Sequence, residues 1–366
     1  MSGTTGTAIP GSTAPLFEHA LRLHRRTPDA PLPRDGEPYP DEARRRRRKV
    51  PDPPRDRNLV GVDVARLLDA HFADPHAAPR DLTGRFRDVH VPIHPSGHIA
   101  AAAGRAGERG RETGRWLVRH GTETYDVVVG LALLAAVGTA RDIPRIQTVG
   151  LLSCTFGPLS ANALERLPQG ADALLWLAER VTGWGRVYVV EALCRLVEDH
   201  PAVRSWLTRR AVDGDVLNGY FAGRVAQLVG LHEVMAQDDV HGDVVDHTGR
   251  ILQEMSCCEG MGLSLKRYPY ASVVMKAHAR TLARLGPSPE RFLAVALLVH
   301  SLGDAGDRQS VGPVHLWETA RSDYLALLDR ADWCEAARQG LMKGDEQSAW
   351  AADLAGELDL LAFRMD

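Results

Sequence analysis

Beyond Trp116 the chain alternates apolar stretches at helical spacing with short clusters of Gly, Pro, Thr and Asp, which predicts a succession of helix pairs. The run YDVVVGLALLAAVGTARDIPRIQTVGLL (125–152) shows the pattern best. An apolar helix leaves through Gly138, Thr139 and Asp142 can accept the orphan amides of the next helix, and Pro144 suits its first turn. The same order returns in GRVYVVEALCRLVEDHPAVRSWLTRRA (185–211), with its turn ending at Pro201, and in ASVVMKAHARTLARLGPSPERFLAVALLV (271–299), with its turn ending at Pro289.

Pro144 and Pro201 are 57 residues apart and Pro201 and Pro289 are 88 apart, close to two and three units of 29. Weaker copies, ANALERLPQGADALLWLAERV (161–181) and YFAGRVAQLVGLHEVMAQ (220–237), fall where intervening units belong. A fixed period of this length, each unit a helix pair, indicates a solenoid whose core forms only when neighbours stack. The stretch VGLALLAAVGTARDIPRIQTV resembles the short HEAT-type repeat of about thirty residues, the class found in phycobilin lyases and in deoxyhypusine hydroxylase. The resemblance spans roughly residues 120–300 and implies an all-α, HEAT-like α-solenoid. It implies no particular function, because such arrays serve as enzymes, scaffolds and DNA readers. The helical tail 315–363, with Trp317, Trp333 and Trp350, is expected to cap the array.

Residues 1–115 differ in kind. They hold 14 of the 22 prolines and 20 basic against 15 acidic residues, whereas 116–366 holds 24 against 32, so charge is segregated beneath a net of −3. Two parts are therefore expected: a Pro/Arg-rich N-terminal arm (1–115) with short helices, and the helical array (116–366). In PDAPLPRDGEPYPDEARRRRRKVPDPPRDRN (28–58) prolines remove backbone donors and charges resist burial, which predicts a partly disordered, polyproline-like segment. Its run Arg44 to Lys49 reads either as a solvated linker or as a contact for nucleic acid or another acidic surface. Flanking it, PLFEHALRLHRR and GVDVARLLDAHF suit short amphipathic helices that need docking to persist.

Composition narrows the class further. No apolar run reaches membrane length and the opening lacks the pattern of a signal peptide, so a cytoplasmic protein without membrane contact is the default expectation. Five widely spaced cysteines without C-x-x-C argue against a disulfide framework or thiolate zinc site, although adjacent Cys257 and Cys258 read either as structural thiols or as a redox pair. The basic residues are almost all arginine, with lysine only at 49, 266, 276 and 343, which looks like the coding bias of a high-GC bacterium.

Several groups carry candidate chemistry. In TGWGRVYVVEALCR (182–195) Gly183 and Gly185 flank Trp184 at a helix entrance, and Arg186, Glu191 and Arg195 follow. An aromatic among arginines is a typical anchor for a partner, with Arg224 as a further candidate, though Arg and Glu at these positions equally suit a network between repeats. In DDVHGDVVDH (238–247) a helix starting near Gly242 places Asp243 and His247 on one face, and with His241 they form a candidate divalent-metal set beside the plainer reading of an acidic helix start. His90, His94 and His98 are four apart, but Pro92 and Pro95 oppose the helix that would gather them, and in an extended chain such positions lie ~13 Å apart. The stretch reads as a hinge leading into an Ala-rich helix at Ser96 or Gly97. A di-iron site like that of deoxyhypusine hydroxylase would need several His-Glu pairs, and only His232-Glu233 is present.

No G-x-G-x-x-G after a strand, P-loop, H-E-x-x-H or G-x-S-x-G motif occurs, and no cofactor is implied. The expectation is a non-catalytic scaffold that binds a protein or peptide along the concave face of the array. Two alternatives stay open: a DNA-binding protein similar to the HEAT-like alkylpurine DNA glycosylases, which the acidic balance of the array opposes, and a metal-dependent enzyme with a site assembled from several repeats.

Overall fold

The structure, a computed structural model, describes residues 14–48, 51–258, 260–304, 314–342 and 346–363. Among these the regular structure is entirely helical, and the chain divides into two compact units, Met1–Leu196 and Val197–Asp366. Helices on both sides of residue 115 belong to the first unit, so the change in composition there falls inside one packed body.

The first unit contains α1 (Leu16–His24), α2 (Glu42–Arg46), α3 (Val62–Ala73), α4 (Gly97–Ala106), α5 (Glu108–His120), α6 (Thr124–Val137), α7 (Ile143–Gly150), α8 (Ser153–Glu165), α9 (Gly170–Ala178) and α10 (Gly183–Leu196). α6 is apolar on every side and packs against α4, α5 and α8, as an all-round hydrophobic helix must. The expected turn to α7 is present: Thr139 and Asp142 form a reciprocal cap, and Arg115 from α5 clamps the buried Asp142 at 2.6 Å. That guanidinium, with the Thr139 amide, outweighs burial and holds the Asp142 carboxyl below its ordinary range. α5 meets α6 through facing glycines: a Cβ on Gly114 would stand 3.0 Å from the Gly130 carbonyl oxygen.

The segment between α1 and α2 is packed, contrary to the expectation of a polyproline-like arm. Leu32, Tyr39 and Asp41 are buried, and the Tyr39 ring stacks on Phe156 at 6.0 Å. Prolines deprive this stretch of donors but not of acceptors, and helix starts need acceptors. Asp41 accepts from the Thr124 amide at 2.7 Å and its hydroxyl at 2.9 Å, capping α6, while Asp35 accepts from the amides of Ser153 and Cys154 at 2.8 and 2.7 Å, capping α8. Asp35 reaches there from a left-handed backbone, φ 54°, a conformation that costs a non-glycine residue about 1 kcal/mol. Asp41→Ala should therefore cost about 1–2 kcal/mol of stability and speed tryptic cleavage within the arginine run. Unchanged stability and cleavage would show that Asp41 does not hold the segment. The first thirteen residues, Lys49 and Lys343 lie outside the described residues.

The second unit contains α11 (Pro201–Arg210), α12 (Ala222–Leu228), α13 (Leu231–Met235), α14 (Gly242–Cys257), α15 (Ala271–Leu285), α16 (Pro289–Asp304), α17 (Val314–Leu328), α18 (Ala331–Leu341) and α19 (Glu346–Glu357). Its largely apolar core includes His278 on α15, which lies 3.1 Å from the Val245 carbonyl on α14 and 2.9 Å from the Tyr324 hydroxyl on α17. One imidazole thus ties three helices, and complete burial pushes its pKa down to about 4. In the tail Trp333 is buried, Trp317 half-buried and Trp350 half exposed. No described helix is long and apolar enough to cross a membrane.

Candidate functional site

α10 buries Val187, Val190 and Leu193, and their helical spacing turns Trp184, Tyr188, Glu191 and Arg195 onto a common stripe. Trp184 is 39 % exposed, large for an indole on a packed helix, and stacks on Tyr188 at 6.0 Å with 24° between the rings. His94, from the proline-rich hinge, meets Tyr188 edge-on at 5.7 Å. The three rings form a continuous aromatic strip.

Two glycines allow α10 to lie this close to α8. A Cβ on Gly185 would collide with Ser153, and one on Gly157 would press on the Tyr188 ring at 3.1 Å. The far end of the strip is fixed by Arg195, whose Nε and Nη2 each reach Glu165 at 2.7 Å. This paired carboxylate holds the Arg195 guanidinium above its ordinary pKa. Beyond Glu165 a pocket of ≈ 220 Å³ opens between α8, α6 and the start of α4, walled by Ala132, Ala135 and Leu159. Its polar side carries Asn162 and the exposed Arg166, whose side chains have no hydrogen-bond or ion-pair partner among the described residues. Rings, an unpaired guanidinium and an apolar recess supply what anchoring a ligand requires.

The residues expected from the sequence meet different fates. Trp184, Glu191 and Arg195 share the strip. Arg186 does not: it is buried, and its guanidinium donates to the Ala178 carbonyl oxygen at 2.9 Å, so it braces α9 against α10. Arg224 is exposed on α12 of the second unit. Tyr188, His94, Asn162 and Arg166 are additions. Tyr188 could have been found four residues after Trp184, on the same helical face, but nothing local marks Asn162 or Arg166.

The metal candidates do not converge. His247 is fully buried, with Nε2 accepting from the Val212 amide at 2.9 Å and Nδ1 donating to the Thr208 carbonyl at 2.8 Å, so both ring nitrogens are occupied. His241 is exposed and sits 2.7 Å from Asp243, whose two carboxylate oxygens both accept from Arg209 Nη1 at 2.8 Å. Among the described residues no group of three His, Cys, Asp or Glu side chains is placed to hold an ion. Periodicity had put Asp243 and His247 on one face; burial then committed the imidazole to the end of α11. The three histidines of the hinge also part company, His94 to Tyr188 and His98 to the Asn58 carbonyl at 2.7 Å. His232 stacks flat on Tyr270 with ring centroids 3.6 Å apart. All five cysteines are free thiols; Cys258 is buried and Cys257 exposed.

Compared with protein-family models, with curated proteins and with solved structures, the chain matches none.

Proposed function

We propose that this protein recognises a segment of a partner protein without chemical turnover, using the strip of Trp184, Tyr188 and His94 and the adjoining Arg166 pocket. On this reading the helix pairs are short HEAT-type repeats, and the strip lies on their ligand-binding face. The observation that carries it is the stacked, solvent-facing pair Trp184 and Tyr188 beside a recess containing an unpaired guanidinium. Rigid aromatic rings give large contact area for little lost entropy, and an arginine at a recess recognises a carboxylate. The expected occupant is an extended segment bearing an apolar side chain next to an acidic one.

Selection of a random peptide library on the full chain tests this directly. Enriched peptides should combine an apolar and an acidic residue, lose about 30-fold in affinity on the double variant Trp184→Ala/Tyr188→Ala, and weaken on Arg166→Gln. Circular dichroism of each variant separates lost contacts from lost fold. No enrichment, or equal binding to the folded double variant, defeats the proposal.

A further inference from the structure

The arginine run belongs to none of the contacts just described, yet it is held on the surface of the first unit. Tyr39 anchors its N-terminal side through Phe156, Asp41 is tied to Thr124, and Arg45 lies over the Tyr39 ring at 5.7 Å. The Arg44 guanidinium donates to the Thr122 carbonyl oxygen at 3.4 Å, and Arg48 stands 3.9 Å from Glu123. Glu123 is already held by Arg87, through Nε at 2.7 Å, and that guanidinium keeps the Glu123 carboxyl below its ordinary range. Arg46 pairs with Glu42. Six guanidinium groups, at 44–48 and 87, therefore share two ion-pairing carboxylates, Glu42 and Glu123. Three other nearby acids reduce the excess without an ion pair to the run: Asp41 and Asp126 are buried and accept backbone amides, and Asp88 lies exposed beside Arg87.

Holding like charges together on a folded surface opposes folding, and a polyanion would relieve that repulsion. We infer that this arginine cluster, formed by α2 and the Arg87 turn, binds the phosphodiester backbone of nucleic acid. Guanidinium groups match phosphate oxygens bidentately, and Arg44, Arg47 and Arg48 are exposed. The run carries no apolar side chain among its arginines, whereas attachment to a lipid surface would draw on apolar groups to insert. With no groove or base-reading element in the cluster, the contact is expected to be independent of sequence.

Fluorescence anisotropy of the full chain with labelled duplex DNA and single-stranded RNA of about 20 nucleotides, from roughly 50 to 200 mM salt, tests the inference. The wild type should bind at low salt with a steep negative slope of log K against log salt. The triple variant Arg44→Gln/Arg47→Gln/Arg48→Gln should flatten that slope by about 3 and weaken binding at least about tenfold, since each phosphate contact contributes about 0.9 to it for duplex DNA. Its melting temperature should stay level or rise, which excludes unfolding as the cause. Absence of binding to either nucleic acid at low salt, identical binding by the triple variant, or binding confined to vesicles containing phosphatidylserine each overturns it.

Discussion

Gly130→Val is expected to destabilise the first unit severely, with a loss of about 3 kcal/mol or more of stability. A Cβ at this position would stand 2.8 Å from the Leu117 Cβ and 2.9 Å from the Val118 amide nitrogen, on the helix that faces α6. Neither neighbour is the flexible end of a side chain, so α5 and α6 must separate. Separation would uncover two helices that bury Leu117, Val118, Leu131 and Leu134 and would break the Arg115 clamp on Asp142. Chemical denaturation with hydrogen exchange across α5 and α6 measures the loss. Gly130→Ala should cost less, because a single methyl asks for a smaller shift. A valine variant as stable as wild type would mean that the packed helices can part without penalty.

Two buried groups of the second unit are expected to impose opposite pH dependences, each on the order of 3 kcal/mol. His278 ionises ordinarily at 6.5 and here at about 4, because burial disfavours the imidazolium. Between those values the unfolded chain takes a proton that the folded chain refuses, so its stabilising contribution is complete above pH 6.5 and falls away as the pH drops toward 4. Glu254, buried beside Asp215 and Asp213, is pushed from 4.5 up to about 7, first by desolvation and then by those carboxylates. Its penalty is absent below pH 4.5 and grows to full size by pH 7, since only the unfolded chain loses the proton in that window. The two slopes overlap and largely cancel in the wild type. Glu254→Gln should stabilise the unit at neutral pH and reveal a steep loss on acidification. His278→Gln should reveal the reverse, stability declining as pH rises from about 4.5 to 7. Denaturation midpoints at pH 4, 5, 6 and 7 for the three proteins decide the matter, and parallel profiles would refute both assignments.

Local grammar placed the helices well. The turn built on Gly138, Thr139 and Asp142, the start of α11 at Pro201, the start of α14 at Gly242 and the start of α4 at Gly97 all stand where turn chemistry put them. These features are encoded within a few residues, where capping and proline geometry act. The aromatic strip and its surroundings were half visible for the same reason: Trp184, Glu191 and Arg195 lie on one helix, while His94 and Arg166 join them from residues distant in the chain. For Arg186 the sequence left two roles open, anchor or brace between helices, because only the neighbouring helix shows that its guanidinium meets the Ala178 carbonyl. The segment that carries Tyr39, Asp35 and Asp41 was expected to be polyproline-like because proline content reports a segment's own bonding capacity and says nothing of the helix ends waiting for its carboxylates.

By itself, then, the sequence determined an all-helical chain of short helices with their turns, a segregated charge pattern, and one helix marked by an aromatic among charges. Those properties depend on residues near one another, through backbone geometry and hydrophobic period. Only the tertiary structure decided which polar groups are buried, that the proline-rich segment caps two helices, that His247 belongs to the core, and that six guanidinium groups share two ion-pairing carboxylates. Such outcomes depend on which distant surfaces meet, because burial and pairing are set by neighbours in space.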